Sequence, residues 1–400
     1  MKRIMQLGAN AFQATAIKAA KDLGHYVITV DYLPENPGHR FADEYHNIST
    51  VDRVNVLRLA QSLKIDGIMS YASDISAPTA AYVAEIMGLP GNPLESVEVL
   101  THKHLTRAFL ERHGFNVPKN RGVCNIHEAR EFFNALSGAT GGAVMVKPSD
   151  SNGSKGVSRV DDIKDLDKAF SYARSYSRNK VIIVEEFLIR DGYQMGGDAF
   201  IQDGEIIFFG FMNEYFDERC NPLVPIGESY PPILADDLKA KAKGEIQRFM
   251  RLLGMRIGAI NMDFIVDGRG EVYIIEIGPR SGGNWISDAL TEAAGIDLAK
   301  CVVKSALGEH ISGLKSTCEN CIASYIIHSG YNGLLQRIEY DPGIKGDIIA
   351  LLETAKTGDM VSRFDNAGLG LGVLIFRSKD INEMLYRMDN MEKFIHVILS

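Results

Sequence analysis

Between Arg3 and Met87 the chain alternates short β-branched stretches with amphipathic ones, and that alternation limits the fold more than any other feature. Arg3–Gly8 reads as a strand, Phe12–Leu23 as an amphipathic helix and Tyr26–Asp31 (YVITVD) as a second strand. Val51–Leu63 follows as a helix, with Ser49, Thr50 and Asp52 available for its first turn. Gly67–Tyr71 is a third strand, and a helix runs from about Pro78 to Met87, with the proline where a first helical turn tolerates it. Strands alternating with helices imply a parallel, doubly wound sheet, because parallel neighbours need a crossover and a helix usually supplies it. Ligands of such sheets gather at the carboxyl ends of strands, where Gly8-Ala9-Asn10, Asp31 and Ser73-Asp74 lie.

The turn formers Gly88-Leu89-Pro90-Gly91-Asn92-Pro93 end this unit. At about 150 residues per domain, 400 residues make two or three domains. A helix at Lys103–His113 leads to strand Ala143–Lys147 and the polar stretch Pro148–Gly156. Apolar strand Val181–Val184 ends in Glu185-Glu186, and two strands from Gln194 to Phe211 flank the hairpin signal Asp203-Gly204. A helix at Asp236–Leu253 precedes a hairpin at 261–277, and residues 313–400 mix short strands with a helix near Ile381–Met391. A net charge of -8 leaves no basic footprint for nucleic acid. No apolar run nears the roughly 18 residues that would span a bilayer, so no membrane is expected. Met1–Gly8 is too short for a signal peptide, and five cysteines are too few for a disulfide framework. A cytoplasmic α/β protein handling small molecules is the expectation.

Residues 261–280, NMDFIVDGRGEVYIIEIGPR, carry the most chemistry. With a four-residue turn at Asp267–Gly270, Val266 pairs with Glu271, Asp263 with Ile274 and Asn261 with Glu276. Period-two alternation then sets Asn261, Asp263 and Glu276 on one face, the two acids as diagonal neighbours about 7–8 Å apart. Two carboxylates that close repel unless a cation lies between them, and Mg²⁺ takes one or two carboxylates plus phosphates. A solvated strand face with two acids is the plain alternative. Arg280 after the second acid suits an anionic phosphate or carboxylate. Lys147 ends an apolar strand before PSDSNGSKGV, residues 148–157, a loop able to aim backbone N–H groups at phosphate oxygens, or simply a mobile surface loop. The segment VIIVEEFL, 181–188, can offer backbone groups and an acid to an adenine edge, or can be a strand leaving the core.

The order of these pieces resembles the ATP-grasp superfamily of carboxylate–amine ligases, in its biotin-carboxylase-like and glycinamide ribonucleotide synthetase-like branch. The residues that carry the likeness are Lys103, Lys147, Ser149–Val157, Val184-Glu185-Glu186-Phe187-Leu188, Asp263 and Glu276-Ile277-Gly278-Pro279-Arg280. The resemblance implies an α/β chain with an N-terminal doubly wound parallel-sheet domain (1–100), a central two-lobed α+β nucleotide-binding domain (101–312, lid lobe about 115–185) and a small C-terminal α+β domain (313–400). It places Lys103 and Lys147 on ATP phosphates under a lid formed by Ser149, Ser151, Gly153, Ser154, Gly156 and Val157. Glu185, with Glu186 beside it and the backbone of Phe187 and Leu188, would read adenine, and Gln194 the ribose. Asp263 and Glu276 would hold Mg²⁺ (or Mn²⁺), and Arg280 would join Lys147 in catalysis on the transferring phosphate or bound carboxylate. Gly278 stands where the family often has a metal-binding Asn. Substrate candidates are Ser73, Asp74, Arg219, Arg280 and the run Ser281-Gly282-Gly283-Asn284, and a homodimer is implied by kin.

The activity implied joins a small carboxylate to an amine through an acyl phosphate, yielding ADP and phosphate. A bicarbonate-dependent carboxylase of a small amine and a non-catalytic nucleotide-binding regulator are the alternatives. A dinucleotide enzyme is disfavoured, because Gly8-Ala9-Asn10-Ala11-Phe12-Gln13 lacks the later glycines of that fingerprint. Cys318-Glu319-Asn320-Cys321 lacks the second ligand pair of a zinc ribbon, no plausible Cys/His nucleophile pair is legible, and Trp285 is expected to pack between the central domain and a following helix.

Overall fold

The structure, a computed structural model, describes residues 1–140 and 142–400, with backbone alone for 137–140. Strands β1 (Arg3–Leu7), β2 (Tyr26–Val30), β3 (Glu44–His46) and β4 (Gly67–Ser70) form an all-parallel sheet in the order β3-β2-β1-β4. Edge strand β3 has no apolar signature (EYH), and only its pairing reveals it. Alternate residues feed two cores. Ile4, Val27 and Met69 pack with helices Ala14–Asp22 and Leu298–Ala306, whereas Met5, Leu7, Ile28, Val30 and Ile68 pack with Arg53–Leu63 and Ala77–Met87. One face of the first domain is therefore covered by a helix from the second, and the two share a core. Of the candidate caps, Asp52 serves, accepting from Asn55 N at 3.1 Å.

A second sheet is antiparallel: β5 (Asn120–Val123), β6 (Val144–Pro148), β7 (Ser158–Val160) and β8 (Ile182–Glu186), ordered β5-β8-β6-β7. Helices Ile126–Thr140 and Leu166–Tyr176 close its core. This small lobe falls on the segment read from sequence as about 115–185.

The remaining strands are β9 (Met195–Gln202), β10 (Glu205–Phe216), β11 (Pro225–Tyr230), β12 (Gly258–Val266), β13 (Val272–Gly278), β14 (Cys321–Ile327), β15 (Gly333–Tyr340), β16 (Ile348–Glu353), β17 (Met360–Val361), β18 (Gly372–Ser378) and β19 (Ile395–Leu399). Eight of them make one antiparallel sheet, β13-β12-β9-β10-β11-β14-β18-β16. Because β11 pairs with β14, the stretch after residue 313 continues the central sheet; β17, β15 and β19 form a small sheet beside it. Asp203 (φ 53°) and Gly204 (φ 82°) turn the β9–β10 hairpin, both at positive φ as a two-residue turn of that hand requires. Trp285 packs against both the core under the first domain and that of the C-terminal strands.

The β12–β13 hairpin corrects the register read from sequence. Its turn holds five residues rather than four, so Val266 pairs with Val272. Closer to the site a bulge leaves Ile275 without a ladder partner, and Asp263 then stands opposite Glu276 and Asn261 opposite Gly278. One extra residue would have turned the strand's side chains to the wrong face, and the second restores them. The acids are direct rather than diagonal neighbours.

Candidate active site

A cleft of about 880 Å³ runs between the small lobe and the central sheet. Lys103, Lys147, Ser151, Gly153, Ser154, Val157, Glu185, Glu186, Phe187, Leu188, Gln194, Asp263 and Glu276 all border it. Lys103 opens helix Lys103–Arg112, and its Nζ donates to Ser151 O (2.8 Å) and Glu276 Oε1 (3.0 Å). Lys147, near the end of β6, donates to Glu185 Oε1 at 2.6 Å.

Glu185 is 2% exposed and also accepts from Arg107 Nε at 2.8 Å. Burial by itself would raise its carboxyl; the Arg107 guanidinium and then the Lys147 ammonium outweigh burial and hold it at about 2. Arg107 was not singled out from sequence, yet it is 1% exposed and donates to the carbonyls of Ile274 (3.2 Å) and Ile275 (3.0 Å). Those carbonyls flank the bulge, so one buried guanidinium supports both the bulge and the acid that holds Lys147. Only its distant partners would have revealed it, since an arginine on an amphipathic helix is ordinarily solvated.

These contacts revise the adenine reading. Glu185 is committed to two cations, and the Phe187 N–H donates to Ala143 O at 3.0 Å, so neither is free for a base edge. The Arg159 guanidinium lies 4.3 Å from the Phe187 ring centroid, and both line the cleft as a flat platform that sequence reasoning missed. Gln194 gives its amide to Glu214 Oε2 at 2.5 Å.

The glycine-rich loop is docked rather than open. Ser149 is wholly buried, its Oγ 2.5 Å from His104 Nδ1, and so anchors the loop instead of facing the cleft. Ser154 Oγ donates to Leu223 O (3.0 Å), and Ala367 N donates to Gly153 O (3.1 Å). Gly156 (φ 77°) turns the chain where an added Cβ would meet Pro148 at 2.7 Å.

Asp263 is surrounded by acids. Burial first, then the charge of Glu276, raises its carboxyl to about 7, against the pull of Arg280 and Lys103. Glu214 and Glu228 oppose each other on β10 and β11, are 2% and 4% exposed, and are raised well above the usual range by burial and by Asp263. Neither was a sequence candidate, because each sits in an ordinary alternating strand. Buried carboxylates that gain from a proton gain equally from a cation, so the donor set at Asp263 and Glu276 fits Mg²⁺, a hard ion that prefers oxygen.

Arg280 donates to Asn261 Oδ1 (2.8 Å) and to Asp74 Oδ2 (2.5 Å). Burial would raise Asp74, but the Arg280 guanidinium outweighs it and keeps the carboxyl below its usual range. An added Cβ on Gly278 would lie 2.6 Å from Asp74 Oδ1 and 3.0 Å from Arg280 Cζ. The first domain's carboxylate thus fills the space that a side chain at 278 would need. The Asp74 Oδ1 atom, buried, has no hydrogen-bond partner of its own. Among the other substrate candidates, the Ser73 carbonyl caps Ser70 Oγ at 2.7 Å. Gly282 N is held by the buried Asp198 carboxylate at 2.9 Å, and Gly283 O accepts from Ile286 N; with Ser281 and Asn284 (φ 49°) this segment forms the turn into helix Ile286–Ala294. Arg219 is bound to Asp217 and lies outside the cleft.

A family model described as an ATP-grasp domain matches residues 141–289, the stretch that supplies Lys147, the docked loop and the paired acids Asp263 and Glu276. The chain carries an ATP-grasp domain. Over 306 residues (75% of this chain) it is 24% identical to the carbamoyl phosphate synthase large chain of Archaeoglobus fulgidus, and it spans 27% of that relative's length. Three solved structures are similar along the whole chain. The L-amino acid ligase of Bacillus licheniformis matches with a TM-score of 0.83 at 20% identity, covering 100% of this chain and 99% of that one. The phosphoribosylglycinamide synthetase of Anaerococcus prevotii matches at 0.76 and 24%, covering 100% of both. A biotin carboxylase domain of Hydrogenobacter thermophilus, solved with MgADP and bicarbonate, matches at 0.76 and 16%, covering 100% and 91%. At these identities the likeness is one of fold, and the ATP-grasp domain sits in it with a parallel-sheet domain before it.

Two outcomes follow from this geometry. Glu185→Gln strands two buried cations and should lower stability by about 3–5 kcal/mol in denaturant titration. In the parent, a carboxyl held at about 2 when folded lends stability above its unfolded value, and that stability is lost as pH falls from about 4.5 toward 2; the variant should lack this loss. Because burial and then Glu276 raise the Asp263 carboxyl to about 7, Mn²⁺ affinity measured by calorimetry with a nucleotide analogue should rise about tenfold per pH unit below 7 and level off above it.

Proposed function

We propose that this chain is an ATP- and Mg²⁺-dependent ligase that joins a small carboxylate to an amine. The observation that carries the reading is the pairing of Asp263 with Glu276 across one ladder, with Lys103 on Glu276 and Lys147 in the same cleft. Asp263 and Glu276 would hold the cation, which supplies charge neutralisation for a transferring phosphoryl group. Lys103 and Lys147 face the phosphates, the loop from Ser151 to Val157 covers them, and the Arg159–Phe187 platform with Leu188 receives the base. A substrate carboxylate oxygen attacks the γ-phosphorus of ATP and ADP leaves, giving an acyl phosphate. An amine then attacks the acyl carbon and phosphate departs, forming the amide and releasing one proton. Arg280, aimed by Asp74 and Asn261, is placed for the anionic groups of either step, and the docked loop keeps water from the acyl phosphate. We propose the lid, ribose and substrate roles on the same footing, with the first domain and the run 281–284 shaping the acceptor side.

The biotin carboxylase match makes bicarbonate a necessary arm of the test. ADP and phosphate release should be stimulated by particular pools of carboxylates and amines, and hydroxylamine should trap the acyl phosphate as a hydroxamate. Release stimulated by bicarbonate and an amine alone would replace the ligase with a carboxylase, and tight nucleotide binding without release would make the chain a regulator. Lys147→Ala should lower kcat about 10²–10³-fold, the scale for losing one charge stabiliser, while the protein stays folded because Glu185 keeps Arg107. Parent-like steady-state constants in that variant would remove Lys147 from the phosphate site.

A further inference from the structure

The loop between β10 and β11 and the residue just past β14 bring three metal-type side chains together outside the cleft: Asp217, Cys220 and His328. Their exposures are 8%, 3% and 9%. His328 Nε2 lies 3.1 Å from Asp217 Oδ2, Cys220 Sγ lies 3.8 Å from the same oxygen, and all three donor atoms fall within 4.8 Å of one another. A nucleophilic triad is the first reading to weigh. There the acid holds the ring nitrogen opposite the one that faces the thiol. Here acid and thiol converge on the Nε2 side, and Nδ1, 2.8 Å from Ile326 O, donates its proton to that carbonyl; a metal would take the place of the Nε2 proton that otherwise faces Asp217.

That arrangement matches a metal ligand instead, since ligating imidazoles characteristically donate their other N–H to a carbonyl or carboxylate. A tetrahedral zinc ion, about 2.3 Å from sulfur and about 2.0–2.2 Å from nitrogen and oxygen, spaces adjacent donors roughly 3.3–3.6 Å apart. Cys220 Sγ lies 3.8 Å from both Asp217 Oδ2 and Ser329 O, so the sulfur faces the acid and a carbonyl from one side. Arg219 grips both oxygens of Asp217, Nε on Oδ1 (2.9 Å) and Nη2 on Oδ2 (2.8 Å), and so fixes the carboxylate that His328 and Cys220 face.

We propose that Asp217, Cys220 and His328 bind a zinc-class divalent ion, with Ser329 O or water in the fourth position. The ion pins the β10–β11 loop to the C-terminal strands. The same loop presents Asn221, Pro222 and Leu223 to the cleft, and Leu223 receives Ser154 of the glycine-rich loop, so the ion braces the surface on which that loop rests. This site stands independently of the nucleotide reading.

Chelator-treated full-length protein, titrated with Co²⁺ as the zinc surrogate, should bind one equivalent that gives a thiolate-to-cobalt charge-transfer absorption, and Zn²⁺ should bleach it. Asp263 and Glu276 offer only oxygen, so cobalt in the cleft adds no such band. Cys220→Ser should abolish the band, and a Cys318→Ser/Cys321→Ser variant should keep it. His328→Ala should weaken Co²⁺ binding at least about tenfold, with circular dichroism confirming that each variant folds. Absence of the band in the parent overturns the proposal whatever the variants do, as does its survival in Cys220→Ser; the cluster is then an Arg219–Asp217–His328 ion-pair chain without a metal.

Discussion

Arg107 holds together what the cleft requires. Its guanidinium neutralises Glu185 on the small lobe and donates to the carbonyls beside the β13 bulge on the central sheet. Two sheets that share no ladder are thereby fixed to one side chain at the back of the cleft. Glu185 in turn holds Lys147 at the cleft wall, and the bulge turns Glu276 toward Asp263. A buried charge left without its partner is strongly unfavourable, so this chain of contacts is rigid in a way that surface ion pairs are not.

Against that rigid frame the acids are arranged to be uncomfortable. Asp263, Glu214 and Glu228 are buried close together, and their carboxyls rise first because they are buried and then because they face other acids. Lys103 and Arg280 offset part of this, Lys103 through Glu276 and Arg280 from beyond Gly278. The imbalance suits a site that works with an added cation, because the missing charge arrives with the nucleotide rather than being built in.

The legible part of the sequence was local. Period-two alternation and the order of Lys147, the Gly/Ser loop and the 261–280 hairpin were enough to find β1, β2, β4, β6, β8 and the hairpin that carries the two facing acids, but not β3, β5, β7 or β11. Pairing in detail was not legible, since a five-residue turn and a bulge leave the residue pattern unchanged on each strand. Residues whose meaning lies in distant partners were also hidden: Arg107 joins Ile274 and Ile275, and Asp74 reaches Arg280 across the domain seam. Glu185 shows the converse. A segment that looks suited to adenine commits its acid to two cations instead, and no count of neighbours along the chain reveals that.

The latch on the glycine-rich loop has a consequence of its own. Both of its strikers, Leu223 and Ala367, belong to the large body, and Ala367 comes from the last third of the polypeptide. Whatever loosens that final segment also removes one of the two hydrogen bonds that seat the loop. A change near Ala367 therefore reaches the glycine-rich loop through one main-chain hydrogen bond, without altering any charged side chain of the cleft.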